Sequence, residues 1–197
     1  MLDERNYEYD CSLLPTYLAP LARAFYMYKS RGLSADERER LGGLYGKFSD
    51  GFRTLRPHLI TGTRLVELPV TTFPIVKAPI HVSYLMYVLS FSEAAARAYW
   101  KAALAACRLT STGPSLLLHP LDFLSGEEID ELKFFPGMNV HSAKKIEFVG
   151  QVIESMCRDF EVVTVREHAR TVISAVPADQ QVLESHEPNT TRTPANA

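Results

Sequence analysis

No two of the three cysteines stand close enough in the chain to form a CxxC pair; they lie at positions 11, 107 and 157. That spacing excludes a zinc ribbon and a disulfide scaffold, and leaves three buried or half-buried thiols as the expectation. A charge of one sign is also missing. The formal net charge is −2, so the sequence offers no basic face for nucleic acid. Long apolar runs are absent as well. The most hydrophobic stretch, APIHVSYLMYVLSF, has 14 residues and is too short to span a bilayer. The chain opens MLDERNYEYD, with acids at positions 3 and 4 and no apolar core of leader length. A cytoplasmic location is the expectation from that opening.

What is present is a globular composition, 46% hydrophobic and 22% charged over 197 residues. One domain over 1–176 is expected. From about Pro177 the sequence turns polar and rich in Pro, Thr and Asn, as a disordered tail does. There is no internal repeat.

Periodicity gives the elements. Leu18, Leu21, Ala22, Phe25 and Tyr26 follow a helical period that Gly32 stops, and Ser34 with Glu37 reads as a capping box for a second helix. Arg64–Val70 reads as a strand. HVSYLMYVLSF and the segment after Ser92 read as helices, the second closed by Gly113 and carrying Tyr99 and Trp100 as packing residues. SLLLH, residues 115–119, is a short, continuously apolar strand. Residues 142–160 form an amphipathic helix with Ile146, Val149, Val152, Ile153 and Met156 on one face. EVVTVREHA reads as a β-branched strand running into helix-start chemistry. Strands near 64–70, 115–119 and 161–165, each separated by helices, make an α/β fold with parallel strands. In such folds chemistry collects at the carboxyl ends of strands. His119 stands at one of those ends, with Leu117 on the same side and Leu116 and Leu118 on the other.

The segments EYDCSLLP, LVELPVTTFP, PIHVSYL, PSLLLHPLDFL, FFPGM and VVTVREHA occur in that order. Together they resemble the carboxyl-terminal half of the polysaccharide deacetylases of the NodB-homology family, over about residues 6–170. The resemblance implies a partial, distorted β/α barrel lacking its amino-terminal half. It implies hydrolysis of acetyl groups from amino-sugar polysaccharides at a metal, usually zinc, held by one aspartate and two histidines. By the same resemblance Leu117 lines the acetyl-methyl pocket and His119 is the general acid to the leaving amine. Asp10 and Asp122 are the further residues placed at the sugar.

The family's TFDDG-like segment, which carries the base and the ligand aspartate, has no counterpart in this sequence. No His-x-x-x-His pair occurs among the six histidines, and FRTLRP at 52–57 matches the family's arginine segment only superficially. The expectation is therefore a truncated deacetylase with no metal of its own, inactive alone, that needs a missing half or self-associates. The alternative is a non-catalytic remnant that binds glycan or a partner protein. Read without the family, Asp122 after His-Pro is turn chemistry or an orienter of the imidazole, and Asp10 before Cys-Ser is loop chemistry. His81 reads as a helix-start residue. Glu67, in a buried strand, requires a partner such as Arg64 or Arg53. A new metal site from Glu67, His81, His119 and Asp122 is chemically permissible, although their separations do not specify one.

Overall fold

The computed structural model describes residue 2 and residues 5–21, 24, 47–133 and 135–175. The helices expected around Phe25 and Ser34, and the tail from Pro177, lie outside the described residues. The chain forms two compact units. One comprises Met1–Asp10, Pro57–Glu67 and Val163–Ala197; the other comprises Cys11–Arg56 and Leu68–Val162.

The first unit holds a three-stranded sheet of very short strands in the order β1-β3-β2: β1 (Tyr9–Asp10), β2 (His58–Leu59) and β3 (Val66–Glu67). β3 is central, parallel to β1 and antiparallel to β2. The strand expected over 64–70 is thus two residues long, and Glu67 within it is buried. The last helix of the described residues, Val165–Ala175, packs on β2 and β3 with Ala169 fully buried. Its start is a reciprocal capping box. Glu167 Oε2 accepts the Thr164 N–H at 2.8 Å, and Thr164 Oγ1 accepts the Glu167 N–H at 3.2 Å. The Thr164 hydroxyl, donating to Oε2 at 2.7 Å, and then the Thr164 N–H hold the Glu167 carboxyl below its ordinary range. The strand expected at 161–165 is not formed. The capping box claims the end of that segment, and Val162 and Val163 remain about half exposed, paired to no ladder.

The second unit is built on three helices: α1 (Val82–Leu89), α2 (Glu93–Leu109) and α3 (Ser142–Asp159); the helix of the first unit, Val165–Ala175, is α4. Ser92 caps α2 as expected, accepting the Ala95 N–H at 3.2 Å, and the Ala-rich sequence behind it has high helix propensity. α2 closes in a Schellman turn: Thr112 N–H bonds Cys107 O at 2.8 Å and Ser111 N–H bonds Arg108 O at 3.2 Å. The left-handed residue of that turn is Ser111, with φ 51°, two positions before Gly113. The core between the helices gathers Ile80, Leu85, Met86, Leu89, Ala96, Trp100, Leu104, Phe148, Val149 and Val152. Trp100 is buried, and its indole N–H donates to Ser155 Oγ at 2.7 Å.

The buried face of α3 is Lys145, Phe148, Val149, Val152 and Met156. Val149, Val152 and Met156 are as expected, but Ile146 and Ile153 are exposed (55% and 39%) because they lie one residue off that 4-3-4 stripe. Cys107 is buried and its thiol pKa is pushed up to about 11, whereas Cys11 and Cys157 are exposed, contrary to expectation; Cys157 follows the last buried position of α3.

Residues 115–119 are extended but join no ladder. Prolines at 69, 74, 79, 114 and 120 remove donors from the neighbouring segments. Side chains substitute: Thr71 N–H donates to Ser115 Oγ at 2.9 Å and Ser115 N–H to Thr71 Oγ1 at 2.8 Å. Leu117 O accepts the Val82 N–H at 3.1 Å, which satisfies one of the free donors at the start of α1 and brings that helix end to His119. Among the described residues no helix is long and apolar enough to cross a membrane.

Candidate functional site

His119 precedes a single 3₁₀ turn, Pro120–Asp122. Pro120 suits the first position of that turn, where no N–H is needed. The turn folds Asp122 back so that its Oδ2 accepts the His119 N–H at 2.7 Å, while Asp122 N–H donates to His119 O at 2.9 Å. Asp122 is buried, at 1% exposure, whereas the His119 side chain is 47% exposed.

The third member is Ser83, in the first turn of α1. Its Oγ lies 2.6 Å from Asp122 Oδ1 and 2.9 Å from His119 Nδ1. A hydroxyl has one proton, and an ionised carboxylate can only accept. Ser83 therefore donates to Asp122, and the contact with His119 requires Nδ1–H as the donor. In the neutral ring that leaves the lone pair on Nε2. In the protonated ring Nδ1–H is committed to Ser83, with Asp122 Oδ2 3.8 Å away, and Nε2–H is the proton available for transfer. A hydroxyl interposed between carboxylate and imidazole thus orients the ring as a direct carboxylate contact does in other acid–base sites.

His81 stands at the N-cap position of α1, as expected of a helix-start residue, but its side chain makes no capping bond; its ring lies 6.3 Å from that of His119, edge to face. Its Nδ1 is enclosed and has no hydrogen-bond partner among the described residues. Burial, and then the neighbouring His119, pull the His81 pKa down to about 4, against the opposing pull of Asp122. At neutral pH His81 is an uncharged neighbour of His119.

Beneath the turn lies Lys145 of α3, with 1% exposure. Its ammonium donates to Leu121 O at 2.9 Å and Leu124 O at 2.5 Å, the carbonyls that flank Asp122, and lies 3.6 Å from Met138 Sδ. Burial lowers its pKa, and the Asp122 and Glu128 carboxylates oppose that shift. A buried cation therefore fixes the backbone of the turn that fixes His119.

Of the four residues expected at the site, Leu117, His119 and Asp122 come from one short segment. Leu117 is 37% exposed, and Leu116 packs against the core. Asp10 lies in β1, in the other unit, as does Glu67. Arg53 lies 3.8 Å from Asp50.

Both Asp122 oxygens and His119 Nδ1 bond within the trio. Among the described residues no three His, Cys, Asp or Glu side chains are grouped to hold an ion. Comparison with family models, with curated proteins and with solved structures gave no match.

Proposed function

We propose that this chain carries the proton-transfer half of a carbohydrate deacetylase-like site, with His119 as the acid–base group, and that it does not hydrolyse acetamides by itself. The observation that carries the reading is the placement of Ser83 Oγ between Asp122 and His119 Nδ1, which commits one ring nitrogen and presents the other. The order of sequence segments around Leu117 and His119 supplies the substrate class, an acetylated amino-sugar polymer. The Leu117 side chain, partly exposed beside the histidine, offers an apolar contact of the size of an acetyl methyl.

A positioned acid alone contributes about 10²–10⁴-fold to a rate. Amide hydrolysis at enzymatic speed requires an acceleration of about 10⁶-fold or more. The difference has to come from an activated nucleophile, which these residues do not supply. The chain therefore holds a glycan and a proton donor without turning the glycan over.

The test uses the purified chain with acetylated chito-oligosaccharides, with and without added zinc. No acetate is released, while the oligosaccharide shifts the ring resonances of His119. Acetate release that His119→Ala abolishes contradicts the inactivity. Ring resonances unmoved at saturating oligosaccharide contradict the site.

A further inference from the structure

Helix α1 is apolar on two opposite sides. Val82, Leu85, Met86 and Leu89 are buried in the core. The opposite side carries Tyr84 and Tyr87, and Phe91 continues the row just past the helix end. These rings form an unbroken series from the candidate site outward. His119 meets His81 at 6.3 Å, His81 meets Tyr84 at 6.3 Å, Tyr84 meets Tyr87 at 6.4 Å and Tyr87 meets Phe91 at 5.1 Å between ring centres. Tyr87 is 38% exposed and Phe91 75%. Aromatic surface left open in a contiguous row marks a binding surface more often than a scattered apolar side chain does.

Two features say what covers the row. Its own rings carry no charge at neutral pH, where His81 is neutral, and the charged groups that follow Phe91 are engaged with one another: Glu93 pairs with Arg97 at 2.6 Å and with Lys144 at 3.0 Å. The rings themselves offer no charged complement to an anionic or cationic partner. The row also ends on His119, so its occupant presents a reacting group to an imidazole. The inner ring, Tyr84, is held in advance. Tyr84 is 6.1 Å from Tyr99, whose hydroxyl donates to Pro79 O at 3.0 Å, so little side-chain freedom is lost on binding.

We propose that the row Tyr84–Tyr87–Phe91 is a track for a short, uncharged oligosaccharide, whose apolar ring faces stack on the aromatics and whose leading sugar reaches His119. The proposal rests on the reading of His119 as the acid–base group of a glycan site. A sugar ring fits both features, because it pairs a flat C–H face with a rim of hydroxyls that Tyr84 and Tyr87 can bond.

The experiment is calorimetric titration of the full chain with chitotetraose bearing N-acetyl groups, and with cellotetraose as the unacetylated comparison. Tyr87→Ala, Phe91→Ala and Ile146→Ala are titrated in parallel, with circular dichroism confirming that each variant is folded. The wild type binds chitotetraose, Tyr87→Ala and Phe91→Ala each weaken binding by about tenfold, and Ile146→Ala, at an exposed α3 side chain outside the ring series, binds like the wild type. Equal binding of cellotetraose, with the same losses in both aromatic variants, upholds the track and contradicts the acetylated substrate class. Aromatic variants that bind like the wild type overturn the track and leave the His119 reading standing. Absence of binding to either sugar overturns the track. So does a concentration-dependent dimer that Phe91→Ala dissolves, which would show the row to be a contact between copies.

Discussion

Ser83 has one proton and two neighbours able to accept one, and the buried carboxylate of Asp122 takes it. The histidine must then supply its own Nδ1–H, so a residue of no catalytic reputation decides which nitrogen of His119 faces outward. A second consequence concerns His81. Its pKa is lowered to about 4 from an ordinary 6.5, so the unfolded chain binds the proton that the folded chain refuses between those values. Stability from this group is fully present above pH 6.5 and is lost as pH falls toward 4, by up to about 3 kcal/mol. Urea unfolding at pH 7 and pH 4.5 measures it. The wild type loses stability over that interval, and His81→Phe loses less by most of that amount. His119 and Asp122 were legible in the sequence because His-Pro-x-Asp after an apolar run is a local pattern. Ser83 was not, because its role depends on a contact 36 positions away and a serine early in a helix has many ordinary uses.

Among the described residues the helices after residue 81 were readable from apolar period and caps, whereas of the three expected strands only 64–70 survives, as the two residues of β3. SLLLH has the composition of a buried strand, but the prolines around it leave too few donors for a ladder, and Ser115 and Thr71 exchange side-chain bonds in its place. EVVTVREHA contains both a β-branched run and a capping box, and only the capping box gives an element. The end of α2 shows why termini are hard to place. Gly113 is the natural stop, yet the left-handed position falls on Ser111, a residue with a Cβ, at φ 51°. That conformation costs energy that glycine does not pay. Ser111→Gly is expected to raise stability by about 1 kcal/mol, read as a higher urea midpoint at unchanged slope. A lower midpoint would show that the serine side chain contributes more than its backbone strain costs.

At the scale of the whole molecule, the larger unit combines an apolar core of three helices with a polar anchor. Lys145 was not singled out in the sequence, although its position on the 145-149-152-156 stripe signals that it faces inward. Its ammonium bonds the carbonyls of Leu121 and Leu124, so α3 holds the Asp122 turn by its backbone. Lys145→Met removes the donor and leaves two carbonyls without it. The expected cost is about 1–3 kcal/mol, together with broadened or shifted His119 resonances that a substitution elsewhere in the core, such as Val152→Ala, does not produce. The central claim, that Ser83 and Asp122 hold His119 with Nε2 outward, is tested most directly by long-range nitrogen–proton correlation of the histidine ring at a pH where it is neutral. The account predicts an Nδ1–H tautomer in the wild type and a shift toward Nε2–H in Ser83→Ala. An Nε2–H tautomer in the wild type, unchanged by Ser83→Ala, would contradict it.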